Sequence, residues 1–134
     1  MIRLISESFA SRGLMILFSL IIVFHLLVLV QVIPFQMVWG GRLNSVSEMY
    51  TFETVSIALN LLMLAVVSVR SGVMSLAVNP RVIQFLLWAM AALFILNTVG
   101  NLLSINETEK LIFTPITLVL SIFCIRLALV TKQK

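Results

Sequence analysis

Hydrophobic residues run through the chain in four long blocks separated by short polar segments. The blocks cover residues 14–33, 46–69, 80–103 and 111–130. Each has about the 20 residues that an α-helix needs to cross roughly 30 Å of hydrocarbon. None shows the period-two alternation of a barrel strand. The pattern predicts an all-α integral membrane protein, a four-helix antiparallel (up-down) bundle that forms a single domain over residues 1–134.

Local signals at the block boundaries support this division. Pro34 disfavours helical backbone at the residue before it, so we expect the first helix to end near Ile33. Each of the other three blocks follows a pair of residues typical of a helix start. These pairs are Ser45 with Glu48, Asn79 with Pro80, and Asn106 with Glu109.

Composition excludes a water-soluble fold and narrows the chemistry. Hydrophobic residues make up 61% of the chain and charged residues 10%, whereas a soluble domain has about 25% charged residues. So few charges could not cover so large an apolar surface. The single cysteine and single histidine exclude a disulfide framework and a Cys/His metal cluster. We therefore expect no metal and no cofactor.

The positive charges predict the orientation in the membrane. Four spans place both termini on one side, and that side carries seven of the nine Lys and Arg residues: Arg3, Arg12, Arg70, Arg81, Arg126, Lys132 and Lys134. Arg42 and Lys110 lie on the other side. Because cytoplasmic loops carry the excess of Lys and Arg, we expect cytoplasmic N and C termini in a bacterial inner (plasma) membrane. The net charge of +4 is thus a topology signal. It does not indicate nucleic-acid binding, and membrane lipids are the expected partners.

Polar side chains within the spans concentrate near the external ends of the helices. Such groups are costly in hydrocarbon and usually face the interior of a bundle, where they are default candidates for a site. We expect a ligand-binding pocket open to the external side, formed by Gln36, Trp39, Arg42, Glu53, Asn60, Asn97 and Asn101. The alternative is interhelical hydrogen bonding, with the three asparagine amides satisfying one another.

Two titratable residues in the spans need a separate interpretation. Glu53 is either solvated at the headgroup boundary or partly buried. In the second case Arg42 is the expected cation, since Gly40 and Gly41 permit a tight turn that folds it back over the bundle. His25 falls near the middle of the first block and has no acid three or four residues away. We interpret it as a hydrogen-bonded structural residue.

Three functions fit this pattern. The favoured hypothesis is a non-enzymatic membrane component that binds lipid or other membrane subunits, a second copy of itself included. It is favoured because the chain is small and has no convergent catalytic set. The alternative is a binding or transport bundle for a small molecule or lipid headgroup. The third is an intramembrane enzyme that uses Glu53 as a general base.

Overall fold

The computed structural model describes residues 1–130, and within that range it contains four long helices and no strands. The helices are α1 (Glu7–Leu29), α2 (Val46–Ser71), α3 (Pro80–Leu102) and α4 (Glu107–Ala128). Each is long and apolar enough to cross a membrane. The predicted all-α four-helix bundle is confirmed, and its apolar helices indicate a multi-pass membrane protein. Lys132 and Lys134, which are counted in the predicted charge excess on the side of the termini, lie outside the described residues.

The first helix is displaced toward the N-terminus from its predicted position. Predicted over 14–33, it begins at Glu7, where the Ser6 hydroxyl accepts a hydrogen bond from the amide of Phe9. It ends at Leu29 because Gln31 adopts a left-handed conformation, with φ of 62°. The amides of Gln31 and Val32 then bond back to the carbonyls of Val28 and Leu27. These two hydrogen bonds form a Schellman motif. The motif ends the helix at Leu29, so Pro34 does not determine where α1 ends.

The other three helices begin where their capping residues predict. Ser45 accepts from the Glu48 amide and Asn79 accepts from the Arg81 amide. Asn106 accepts from two backbone amides at the start of α4. These caps satisfy backbone N–H groups that have no partner within the helix.

Helix packing leaves one side of the bundle open. The two hairpins, α1–α2 and α3–α4, each form an extensive interface, and α1 also packs on α4. By contrast α2 and α3 touch at few positions. The order around the bundle is therefore α2, α1, α4, α3, with a gap between α2 and α3.

The end of the bundle that carries the chain termini is tightly closed. We call it the terminal end, and the opposite end the loop end. Arg70, in the last turn of α2, is buried and pairs with Glu7 over 3.1 Å, and it also donates to the Val130 carbonyl. Gln84 donates to the Ala128 carbonyl and Arg126 to that of Ile5. Beneath them lies an apolar core with Leu14, Phe18, Val67, Leu87 and Leu127 among its most buried members.

Candidate functional site

A cavity of about 430 Å³ occupies the loop-end half of the bundle. All four helices line it, and residues 38–40 and Arg42 of the loop between α1 and α2 contribute to its wall. Several α2 and α3 residues that line it, Leu59, Leu96 and Asn97 among them, are also exposed on the outer surface. The cavity therefore opens through the gap between α2 and α3.

Two side chains from different segments hold the carboxylate of Glu53. Glu53 is fully buried, with 0% of its surface exposed. His25 Nδ1 lies 2.6 Å from Oε2, and Trp39 Nε1 donates to Oε1 over 2.7 Å. A buried carboxylate is stable only when hydrogen-bonded or paired. Glu53 thus joins α2 to α1 and to the loop between α1 and α2, to which Trp39 belongs.

Of the two expectations for Glu53, the one with a buried carboxylate holds, but the cation expected beside it is wrong. Glu53 is not solvated at the headgroup boundary, and its partner is not Arg42, whose side chain is exposed. Among residues 1–130 no ion pair joins Arg42 to Glu53. His25 takes that place because α1 ends at Leu29, which puts His25 four residues, or about 6 Å, from the helix end. The predicted mid-depth position of His25 was wrong for the same reason.

A second buried carboxylate fastens the loop to the other hairpin. Glu109, 8% exposed, accepts the Gly40 amide over 2.6 Å and the Ser104 hydroxyl over 2.7 Å, both at Oε2. The capping geometry predicted for Glu109 is only half right, since its amide bonds to Asn106 while its side chain turns to the loop. Adjacent loop residues, Trp39 and Gly40, are therefore tied to α2 and α4 respectively.

Left-handed backbone shapes this loop. Trp39, Gly40 and Gly41 have φ values of 56°, 68° and 69°, and they form a single left-handed turn in which the Arg42 amide donates to the Trp39 carbonyl. Glycine adopts this conformation freely, whereas a bulky residue such as Trp39 is strained there. The turn positions the indole over Glu53 and leaves Arg42 at the wall of the cavity.

The three predicted asparagines line the cavity but do not bond to one another. Asn60 donates to the carbonyl of Ser56 over 2.8 Å, within its own helix. Asn101 donates to Thr117 Oγ1 over 3.3 Å, across the α3–α4 interface. Asn97 is exposed at the mouth and has no side-chain hydrogen bond to any described residue. The expected mutual satisfaction of the amides is therefore wrong.

Five of the seven predicted site residues line this cavity: Trp39, Arg42, Asn60, Asn97 and Asn101. Glu53 lies behind His25 and Trp39, which separate it from the space. Gln36 is exposed and does not line the cavity.

Sequence reasoning left three polar residues of this region out of the site. His25 lies nearer the end of α1 than the predicted helix bounds place it, and Glu109 bonds the loop in addition to its position at a helix start. The hydroxyl of Thr117 accepts hydrogen bonds from both Thr98 and Asn101. A helix α1 that ends at Leu29 places His25 level with Glu53. The sequence does not reveal this end, because the left-handed residue that closes the helix is Gln31 and not the usual glycine.

Comparison with protein-family models, with curated proteins and with solved structures finds no match. Within the described 130 residues, no three His, Cys, Asp or Glu side chains are grouped as metal ligands.

Proposed function

We propose that this protein is a non-enzymatic binding protein of the membrane, whose loop-end cavity takes the head of a lipid or another amphiphile. The observation that carries the proposal is the cavity itself, which brings polar residues from all four helices around one space of about 430 Å³. That volume falls within the roughly 300–1,000 Å³ range of small-molecule sites. Polar side chains within membrane-spanning helices that face a common cavity usually line a path for a substrate or an ion.

The gap between α2 and α3 supplies the route for such a ligand. Apolar residues of the gap, Leu59 and Leu96, are exposed on the outer surface and also line the cavity. An amphiphile could place its head among Asn60, Asn97 and Asn101 while its tail stayed in the hydrocarbon. Entry from the side requires no passage across the membrane.

We further propose a bacterial inner membrane with both termini in the cytoplasm, so that the cavity opens in the external half of the bilayer. The excess of Lys and Arg at the terminal end supports this orientation. Binding of other membrane subunits or of a second copy stays a prediction.

A cavity-filling variant tests the proposal. No atom lies within 4 Å of a Cβ added at Gly100, which lines the cavity, so Gly100→Leu extends a side chain into open space. The matched control is Val99→Leu, at an exposed neighbouring position that does not line the cavity. The probe is an equimolar mixture of phosphatidylethanolamine, phosphatidylcholine and phosphatidylglycerol, added to delipidated protein and followed by native mass spectrometry.

We expect the natural sequence and Val99→Leu to retain one lipid per chain, and Gly100→Leu to lose it. Failure of the natural sequence to bind any of the three lipids, and also to bind dodecylamine or dodecyltrimethylammonium, would overturn the proposal. Equal retention by Gly100→Leu would also overturn it.

The His25–Glu53 pair favours a second candidate, an intramembrane enzyme. The contact between His25 Nδ1 and Glu53 Oε2 has the form of the carboxylate–histidine pair of hydrolytic triads. This supplies the second titratable group that the sequence alone did not place beside Glu53. The recovered lipid distinguishes the candidates, because a binding protein returns it with unchanged mass and an enzyme returns a product.

A further inference from the structure

We propose that the head of the ligand is a primary ammonium, so that the cavity selects amphiphiles carrying a free amine. This inference rests on the proposed function and names the chemistry of its ligand. It follows from the hydrogen-bonding capacity that the protein leaves unused along the cavity wall.

The amides of Asn60 and Asn101 each keep their acceptor oxygen free of the described protein. The NH₂ group of Asn60 donates to the Ser56 carbonyl, and the NH₂ group of Asn101 donates to Thr117 Oγ1. The direction of the second bond is fixed because the Thr117 hydroxyl proton is donated to the Phe113 carbonyl at 2.9 Å. Neither Oδ1 atom has a hydrogen-bond partner among residues 1–130, and both residues line the cavity.

Two further polar side chains on the same wall have an atom without a partner in the described protein. His25 uses Nδ1 on Glu53, and its Nε2 bonds no described residue. Glu109 accepts both of its hydrogen bonds at Oε2, so Oε1 has no partner within residues 1–130. Both side chains line the cavity. The wall thus offers two amide carbonyl oxygens and a carboxylate oxygen to a hydrogen-bond donor.

The charges around the cavity favour a cationic donor over a neutral one. Glu53 and Glu109 are buried carboxylates, and neither has a Lys or Arg within ion-pair distance among the described residues. Arg42 is the only Lys or Arg that lines the cavity in the described part of the chain. Two carboxylates are thus set against one guanidinium at this site, and a buried charge without a counter-ion is costly. An ammonium group supplies the positive charge and three N–H donors together.

Arg42 extends the recognition to a neighbouring anionic group. Its guanidinium is exposed at the cavity wall, and its planar donors suit phosphate oxygens. The same ammonium chemistry has two sources, the headgroup of an aminophospholipid or a single-chain amine. Only the first also carries a phosphate for Arg42.

The test compares ligands that differ only in their head. The lipid arm titrates delipidated protein in detergent with phosphatidylethanolamine, phosphatidylcholine and phosphatidylglycerol of identical chains. The amine arm uses dodecylamine and dodecyltrimethylammonium. In each arm the trimethyl compound keeps the charge and removes all three donors. We expect the primary amine to bind at least about tenfold more tightly than its trimethyl analogue, the effect of losing charge-assisted hydrogen bonds.

The outcomes separate the inference from the proposed function. Equal binding of the primary and trimethyl compounds, or preference for phosphatidylglycerol, overturns the ammonium assignment and leaves a binding protein of another specificity. Failure of every probe to bind overturns the proposed function itself. A preference for dodecylamine without binding of phosphatidylethanolamine supports the inference and identifies a single-chain amine as the source.

A variant pair in α2 tests the acceptor directly. Asn60→Ala removes the free Oδ1, and we expect phosphatidylethanolamine binding to fall about tenfold while phosphatidylcholine binding is unchanged. The control is Ser68→Ala, because Ser68 also donates to the carbonyl four residues earlier in α2 but lies outside the cavity. Equal losses for both lipids in Asn60→Ala would contradict the assignment. If Asn60→Ala does not fold, the comparison of primary and trimethyl headgroups on the natural sequence tests the ammonium assignment.

Discussion

At the residue scale, Glu53 is the side chain on which the loop end most depends. Replacing it with alanine leaves His25 Nδ1 and Trp39 Nε1 without their acceptor, and each buried unpaired group costs about 1–3 kcal/mol. Glu53→Gln keeps one carbonyl oxygen as acceptor. We expect Glu53→Ala to lower the free energy of unfolding by about 2–5 kcal/mol and Glu53→Gln by less, measured by unfolding in detergent micelles.

The control for these variants is Glu107→Ala. Glu107 is largely exposed and pairs with Lys110, one turn away. Such a surface pair contributes about 0–1 kcal/mol. Equal stability of Glu53→Ala and Glu107→Ala would show that the carboxylate of Glu53 does not organise the loop end.

The partners of Glu53 show what a single sequence does and does not reveal about a site. The polar face of α2 is visible from the spacing of Glu53, Ser56 and Asn60, and the structure buries or half-buries all three. The pairing with His25 is not visible, because it joins residues 28 positions apart. The pairing depends on how α1 and α2 are aligned along their axes. Placing the end of α1 four residues too late, at Ile33 and not at Leu29, is enough to hide that alignment.

At the scale of single elements, the loop is held in place by two different hairpins. Glu109 is the α4 attachment, and it accepts the Gly40 amide. We expect Glu109→Ala to release this amide and raise the hydrogen-exchange rate of residues 38–42 by at least about tenfold, because a lost charge-assisted bond is worth about 1.5–3 kcal/mol. Exchange followed by mass spectrometry measures it.

Glu107→Ala serves again as the control for the loop, since it removes a carboxylate from the same turn of α4. It should leave exchange in residues 38–42 unchanged, because Glu107 bonds Lys110 and not the loop. Unchanged exchange in Glu109→Ala would mean that the Trp39–Glu53 bond alone fixes this segment.

Two helical glycines provide a matched pair for the packing of α1 on α4. A Cβ added at Gly13 would lie 3.1 Å from Cδ2 of the Phe123 ring and closer still to Cε2, whereas at Gly100 it meets nothing within 4 Å. Phe123 is itself held by an edge contact with Phe9. Both alanine variants gain about 1 kcal/mol in helix propensity. Overpacking at Gly13 costs about 1–3 kcal/mol, so we expect Gly13→Ala to be the less stable variant.

Thermal unfolding of both proteins in the same detergent measures this difference. Adding Phe123→Leu to Gly13→Ala should recover part of the loss, since it removes the ring that the new methyl group meets. If Gly13→Ala is as stable as Gly100→Ala, the ring moves aside freely and α1 is not closely packed on α4 at this level.

At the scale of the whole molecule, the sequence predicts the number and kind of helices but not which of them touch. Length and hydropathy suffice for four spans, and the capping residues fix the start of α2, α3 and α4. Helix neighbours depend instead on side-chain packing between distant segments, for which the pattern gives no signal. The gap between α2 and α3, and hence the mouth of the cavity, follows only from the structure.

Orientation is the property of the whole molecule that decides which face of the membrane the cavity serves. The terminal end carries Arg3, Arg12, Arg70, Arg81 and Arg126, and the loop end carries Arg42 and Lys110. Pairing of Arg70 with Glu7 does not change the comparison, because orientation follows Lys and Arg residues and not net charge. Single cysteines placed at exposed positions on either side test it. Val73→Cys lies between α2 and α3, and Ile105→Cys lies between α3 and α4.

In intact bacterial cells, we expect a membrane-impermeant maleimide to label Ile105→Cys, and to label Val73→Cys only after permeabilisation. The natural sequence is the control, since Cys124 is its only cysteine and is buried. The reverse labelling would place the loop end in the cytoplasm. The cavity would then draw its ligand from the cytoplasmic leaflet, and the charge excess of the terminal end would have to face outward against the usual distribution.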